Sequence, residues 1–353
     1  MIRIPLGMAN RLEPVGSSPS SGKSGNPLLD FFGRFHSSLR VSLTDRCNLR
    51  CGYCMEEETT FLPKENLLKK QEIIWLVSAL VDLGVKRVRL TGGEPLLRPD
   101  LDEIVFSLKT IPGLKELTLT TNGILLGAWA EKLKKSGLDR LTISLDTLDP
   151  ELFKKLTRRN ELARVLEGVE ASLSAGFQGT SLNTVLLRGI NDGEVGKIIE
   201  FAHQKGLRPR FIETMPIGAG DYDQHSFVSA KELLGLIREK FGELSPLLRE
   251  STSSPARLYQ VKTGLVGIIA SVSEPFCSSC DRLRLTADGK FRACLFSREE
   301  TDFLALIRAN KGLEDKKELF KAIAKTVWAK GPGHEMHSGN FIKPARTMHS
   351  IGG

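Results

Sequence analysis

Six cysteines are the residues whose type and spacing most clearly suggest chemistry. They fall into two tight groups. Cys47, Cys51 and Cys54 stand in TDRCNLRCGYCM, with three and two residues between them, and Cys277, Cys280 and Cys294 form the second group. A disulfide framework favours small secreted chains with scattered cysteines. Tight, odd-numbered groups point instead to metal ligation in a reducing compartment. Iron–sulfur cubes are held by cysteine thiolates, normally four. Three thiolates bind three irons and leave the fourth open, and an open position separates a reactive metal centre from a structural one. A zinc site needs four ligands. The nearest histidine to the first group is His36, and His334 and His337 are far from the second in sequence. Arg46 and Arg50 beside the first group are expected to hold its thiolates ionised.

Further polar residues recur at regular stations. Thr91-Gly92-Gly93-Glu94-Pro95 combines two glycines, which let backbone approach a ligand closely, with a carboxylate that can meet a cation. A bare glycine pair also reads as a tight β-α turn. Thr120 to Gly123, Ser144 to Asp146, Asn183, and Arg210 to Met215 follow in turn. Arg282 and Arg284 alternate, so on a strand both point to one face. Guanidinium suits phosphate. With Arg40, Arg87, Arg89 and Arg210, they make a triphosphate pocket an expectation. The plain alternatives are caps, turns and surface arginines.

These residues need a frame. Short β-branched runs read as strands at Leu39–Leu43, Arg87–Leu90, Glu116–Thr121, Arg140–Leu145, Ser181–Leu187 and Pro209–Glu213. Helical segments lie between them at Gln71–Leu83, Asp102–Lys109, Trp129–Lys135, Arg164–Ala175 and Glu194–Lys205, several stopping at glycine, as at Gly84, Gly137, Gly176 and Gly206. Repeated β-α units imply a parallel sheet with right-handed crossovers, as an incomplete (β/α) barrel or a flat doubly wound sheet. Polar residues at the C-terminal strand ends mark the active-site face of a β/α barrel. From about residue 225 the alternation breaks, and helices at Ala230–Lys240 and Lys317–Ala329 flank a β-like run, Leu265–Val272. Residues 1–30 read as a disordered leader, since GSSPSSGKSGNP has no apolar period; its few acids faintly resemble a transit peptide. The 353 residues are 41% hydrophobic and carry a net charge of +8, which allows a sizeable core and attracts anions without choosing among them. No run reaches the roughly 20 apolar residues of a membrane helix.

The Cys47–Cys54 spacing, with Tyr53 before the last cysteine, resembles the signature of the radical S-adenosylmethionine (SAM) superfamily. The segments LRVSLTDRCNLRCGYCM, VRLTGGEPLLR, TLTTNG, TISLDTLDPELF, NTVLLRGIND, RFIETMPIG, SEPFCSSCDRLRLTADGKFRACLFS and the terminal Gly-Gly resemble the GTP 3′,8-cyclase family, molybdenum cofactor biosynthesis protein A, over residues 30 to 353. The resemblance implies an α/β fold: an incomplete (β/α)6 TIM-like barrel of the radical SAM type over residues 31–225, with a C-terminal α+β extension over 226–353 carrying a second cluster. It implies two [4Fe-4S] clusters, the first on Cys47, Cys51 and Cys54 and the second on Cys277, Cys280 and Cys294, whose open iron takes the guanine of GTP. It further implies that Tyr53, Gly93, Ser144 and Met215 contact SAM. Arg40, Arg89, Thr120, Ser181, Arg282, Leu283 and Arg284 line the GTP site, with Arg87 and Arg210 as further candidates.

The implied reaction takes hydrogen from ribose C3′ with a deoxyadenosyl radical. The C3′ radical attacks guanine C8, and an electron completes (8S)-3′,8-cyclo-7,8-dihydroguanosine 5′-triphosphate. The implied partners are GTP, SAM, an electron donor and a downstream cyclic pyranopterin monophosphate synthase, with neither membrane nor nucleic acid. The expected state is a monomer or homodimer in the cytoplasm, with organellar targeting left open by the leader. Three departures stand out: Ser181 replaces the family's usual Lys, Asp281 the usual Asn, and Glu56 a common Pro. The competing readings are a radical SAM enzyme that modifies a peptide and a zinc module that binds nucleic acid.

Overall fold

The computed structural model describes residues 26–217, 226–248, 254–309, 316–334, 336 and 341–352. The expected leader lies outside them up to residue 25, as do His337 and Gly353. The first part of the chain alternates strands and helices: β1 Ser38–Ser42, α1 Lys70–Leu83, β2 Arg87–Thr91, α2 Leu101–Lys109, β3 Glu116–Thr121, α3 Leu126–Lys135, β4 Arg140–Ser144, α4 Pro150–Thr157, α5 Leu162–Ser174, β5 Ser181–Leu186, α6 Val195–Gln204 and β6 Arg208–Glu213. There follow α7 Ala230–Phe241, β7 Ser245–Pro246, β8 Arg257–Val261, β9 Gly264–Ile269, β10 Arg282–Leu285, β11 Lys290–Arg292, β12 Thr301–Asp302, α8 Phe303–Ala309, α9 Lys317–Trp328 and α10 Met348–Ile351.

All strands join one sheet, in the order β12-β11-β10-β1-β2-β3-β4-β5-β6-β9-β8-β7. From β1 to β6 each strand lies parallel beside its successor. A doubly wound sheet reverses its order at a switch point; this one does not, so its crossovers all wind one way. The later strands continue the sheet at both ends. β9 pairs with β6 and β10 with β1, both in parallel. This covers two edges that would otherwise present unpaired N–H and C=O groups.

Along the strands one face carries apolar core residues. Leu39, Val41, Val88, Leu90, Leu117, Leu119, Leu141, Ile143, Leu182 and Phe211 are buried in the main core. The intervening residues are mostly polar, with Val185 and Ile212 as exceptions that line the cavity, so the opposite face of the sheet is not packed with the layers of branched apolar side chains that fill a closed barrel. Helices stop where glycine takes up positive φ, as at Gly84 (122°) and Gly206 (67°). The sequence reading omitted α4, although Asp149 caps it, accepting from Leu152 N at 2.8 Å, and Pro150 fills its first turn. No helix among the described residues is long and apolar enough to cross a membrane.

Candidate active site

The polar face of the sheet lines a cavity of about 620 Å³. All six cysteines border it. Each is half-buried and free of disulfide bonding. The thiols within each group are close enough to influence one another's ionisation: Cys47 and Cys54 both raise Cys51, and Cys294 and Cys280 both raise Cys277. Among the described residues no three His, Cys, Asp or Glu side chains form a group that could hold a single metal ion, which for zinc would require every sulfur within about 2.3 Å of it. A triad that converges more loosely fits a multinuclear cluster, which spreads its ligands over several irons.

The groups sit at opposite ends of the strands. Cys47 follows the C-terminal end of β1, whereas Cys280 precedes β10, whose Arg282 pairs with Ser38 at the start of β1. Five strand residues separate the two levels, about 17 Å at ~3.3 Å each.

Between them stands a collection of guanidinium groups. Arg40, Arg89, Arg282 and Arg284 all line the cavity. Burial, then Arg284, Arg282 and Arg89, push Arg40 well below its usual range. Burial and neighbouring Arg140 bring Arg89 down to about 10. Burial and Arg282 bring Arg284 down to about 9. Mutual repulsion in a confined space is relieved by an anion. Arg89 donates to Thr142 Oγ1 at 2.9 Å and Thr120 Oγ1 at 3.3 Å, and Arg282 stacks 4.3 Å from the Phe276 ring centre.

Known proteins place this arrangement. A radical SAM superfamily model matches residues 41–202, and a molybdenum cofactor synthesis C model matches residues 207–336. A GTP 3′,8-cyclase of Rhodopirellula baltica is 43% identical over 333 residues, 92% of each chain. One of Streptomyces coelicolor is 43% identical over 339 residues, 95% of this chain and 98% of its own. The chain belongs to the GTP 3′,8-cyclase family. It is thus a radical SAM enzyme. In fold it is similar to Streptococcus suis SuiB, with a TM-score of 0.56 at 16% identity over 85% of this chain and 67% of that one.

Read as a GTP 3′,8-cyclase family member, the chain brings nearly all the expected site residues together. Tyr53, Gly93, Ser144, Met215, Thr120, Ser181, Arg87 and Arg210 line the cavity with the four arginines. Leu283 does not: it alternates with Arg282 and Arg284, and its side chain is buried in the core. The two glycines of the Thr91–Pro95 motif face the chain itself. A Cβ on Gly93 would lie 2.3 Å from the Arg46 carbonyl, and Gly93 N and Glu94 N donate to Thr44 O and Arg46 O, each at 2.7 Å. Among the described residues no Lys or Arg forms an ion pair with Glu94. Its carboxylate, 1% exposed, accepts from Leu96 N, Thr121 Oγ1 and Asn122 N at 3.0, 2.7 and 2.7 Å, and burial raises it to about 7 despite these donors.

Arg50 does lower Cys47, as expected of a guanidinium beside a thiol, but burial and Glu94 outweigh it. Arg50 donates to the carbonyls of Cys47 and Leu49 at 2.7 and 2.9 Å, and the Arg46 and Arg50 guanidiniums both stack near Phe61. Burial and Glu94 push Cys47 up to about 11; burial and Cys47 push Cys54 up to about 12. The second triad differs. Burial pushes Cys280 up, but Lys330 and Arg282 override it and bring the thiol down to about 6.

Some cavity-lining positions were not singled out in the sequence. Glu116, Arg140 and Arg208 line the cavity from the N-terminal strand ends, a level passed over because β/α enzymes were read at their C-terminal ends. Alternation with the buried Leu117, Leu141 and Pro209 would have found them. Asp146 accepts from Tyr53 Oη at 2.6 Å, and burial raises it to about 6. His36, read beside the first cysteine group, lies next to Lys330 by the second. Asp281 binds Arg87 at 2.5 Å. The α10 tail enters the site: Arg284 Nη1 donates to the Gly352 carbonyl at 2.6 Å, and a Cβ on Gly352 would lie 2.7 Å from Thr91 Oγ1.

Proposed function

We propose that this protein converts GTP to (8S)-3′,8-cyclo-7,8-dihydroguanosine 5′-triphosphate, the first step of molybdenum cofactor biosynthesis. The observation that carries the reading is the shared cavity: two thiol triads at its ends and four mutually repelling arginines between them. In this reading the six parallel strands are an incomplete (β/α)6 barrel over residues 31–225. The segment from 226 to 353 is an extension that caps its N-terminal end and returns a tail. Cys47, Cys51 and Cys54 would hold one [4Fe-4S] cluster and Cys277, Cys280 and Cys294 another, with SAM on the open iron of the first and guanine on that of the second. When bound, the reduced SAM cluster supplies a deoxyadenosyl radical able to take a ribose hydrogen.

The chain's own residues orient and shield the reactants. The Tyr53–Asp146 hydrogen bond fixes the ring beside the first triad, where Gly93, Ser144 and Met215 complete a SAM pocket. Arg40, Arg89, Arg282 and Arg284 take the triphosphate, with the Thr120 and Ser181 hydroxyls as uncharged donors. Ser181 carries no charge, and the arginine group makes up the loss. Buried Asn183 Oδ1 has no hydrogen-bond partner among the described residues and offers an acceptor to the nucleotide. The electron donor is external, the product passes to a cyclic pyranopterin monophosphate synthase, and the enzyme works in a reducing cytoplasm.

Anaerobically reconstituted protein, incubated with SAM, reductant and GTP, should yield deoxyadenosine and the cyclised nucleotide together. Cys294→Ser should retain the SAM cluster and lose the cyclised product. Deoxyadenosine formation with a peptide but not with GTP, or unchanged product from the variant, would overturn the reading.

A further inference from the structure

Lys330 follows α9, and its side chain is buried, with the residue only 5% exposed. A buried ammonium needs every hydrogen accepted and an anion at hand. Nζ donates to the Arg282 carbonyl at 2.9 Å, and lies 3.4 Å from His36 Nδ1 and 3.6 Å from Cys280 Sγ. The nearby carboxylate belongs to others. Asp30 accepts from Arg34 Nε at 2.6 Å and from Phe32 N and Arg34 N at 2.9 Å, and its Oδ2 lies 2.9 Å from His36 Nε2. Asp30 can only accept, so Nε2 carries the imidazole proton and Nδ1 presents its lone pair to Lys330. Three hydrogens thus meet three acceptors, and of these acceptors only the Cys280 sulfur can carry negative charge.

The placement is rigid. Arg34 donates to Cys277 O at 2.8 Å, Pro332 O at 3.0 Å and Gly331 O at 2.6 Å, so one guanidinium ties the Lys330 segment to the loop of the second triad. The first triad is served differently: Cys47 Sγ receives Leu49 N at 3.4 Å and Asn122 Nδ2 at 3.8 Å, both uncharged donors.

We propose that Lys330 is a positioning residue for the second cluster, hydrogen-bonding the Cys280 ligand sulfur and raising the potential at which that cluster accepts an electron. This rests on the two-cluster reading above. Reduction adds negative charge to the ligand sulfurs, and a cationic donor stabilises the reduced state more than the oxidised one. His36 and Asp30 aim the ammonium, and Arg34 fixes its distance.

The test is an EPR-monitored redox titration of the full chain carrying Cys51→Ser, which isolates the second cluster. Adding Lys330→Met should lower the reduced-to-oxidised ratio at a fixed potential about tenfold, a midpoint drop of ~59 mV for one electron. Lys330→Arg should recover most of that ratio. A cluster-loaded Lys330→Met with the parent's midpoint would overturn the assignment. Should the variant not assemble, pulsed EPR on the unaltered enzyme labelled with 15N-lysine decides it: a lysine nitrogen coupled to the reduced second cluster supports the proposal, and no coupling overturns it. A Cys51→Ser parent holding no iron–sulfur cluster at all would overturn the two-cluster reading itself.

Discussion

Arg284 should stabilise the nucleotide complex while destabilising the empty protein. Burial, with Arg282 and Arg292 nearby, brings its guanidinium from 12.5 down to about 9. The unfolded chain keeps the proton up to 12.5, so below pH 9 the folded state bears the whole penalty, and stability recovers only as pH rises from 9 towards 12.5. The gap, 12.5 − 9 = 3.5, corresponds to a ceiling of about 5 kcal/mol at ~1.36 kcal/mol per unit. Arg284→Met removes that penalty and also the 2.6 Å bond to the Gly352 carbonyl, the latter worth about 1.5–3 kcal/mol. The balance predicts a ligand-free variant more stable by about 2 kcal/mol, a rise in Tm of about 3 °C. GTP at 100 times Kd should stabilise the wild type by about 2.7 kcal/mol. The variant, with affinity weakened by about 100-fold, should gain less than about 0.5 kcal/mol at the same concentration. Thermal unfolding of anaerobically purified protein at pH 8, with and without GTP, reads both effects. A variant with lower ligand-free Tm and an undiminished response to GTP would show that Arg284 is a strut for the tail, and the anion-site reasoning would be wrong.

Glu94 has a raised folded value, about 7 against 4.5, so its contribution is present below pH 4.5 and lost as pH rises through 7. Urea unfolding from pH 5 to 8 should show up to about 3 kcal/mol of this decline, and Glu94→Gln should flatten it; an unchanged slope assigns the decline elsewhere. Gly93→Ala places a Cβ 2.3 Å from Arg46 O and should cost about 1–3 kcal/mol. Iron and sulfide analysis should then show loss of the first cluster with the second retained, and full loading would refute the clash. Asp281→Asn removes the anion paired with Arg87 at the cavity wall. The KM for GTP should fall about threefold, and a rise would mean that Arg87 must be held by Asp281 to act.

Much of the frame was legible because local signals agreed. Alternating Leu39–Arg40–Val41 and Val88–Arg89–Leu90, followed by amphipathic segments closing on Gly84 or Gly206, could satisfy their backbone and bury their apolar side only as β-α units. Glu116–Thr121 was placed to the residue. The late strands were harder. β10 is only four residues, Arg282–Leu285, with buried arginine at one of its positions, and its partner β1 lies more than 200 residues away, so no local period announces it. Arg34, His36 and Lys330 failed for a related reason. Each is an unremarkable residue in its own stretch, and they acquire a role only because the turn after α9 brings Lys330 to the start of β10, beside Cys280 and the Arg282 carbonyl. At Leu283 the motif and the strand alternation differ: the family motif places it in the site, while alternation turns its side chain into the core.

That same long-range pairing explains how a single cavity comes to have a thiol triad at each end. β1 is flanked by β2 and β10, all parallel, so Arg40 stands level with Arg89 on one side and Arg284 on the other. A loop that leaves β1 must emerge at its C-terminal end, where Cys47 lies, and a loop that enters β10 must arrive at the N-terminal end, where Cys280 lies. Parallel pairing alone therefore sets the triads roughly a strand length apart, about 17 Å, with the arginines between. Had β10 joined antiparallel, both triads would crowd one rim and the guanidiniums would stand outside the interval. On the proposed reading, a nucleotide held at the N-terminal triad would extend past the arginines towards the other end. Moving either triad by two residues along its strand would break this spacing while leaving each set of thiolates intact.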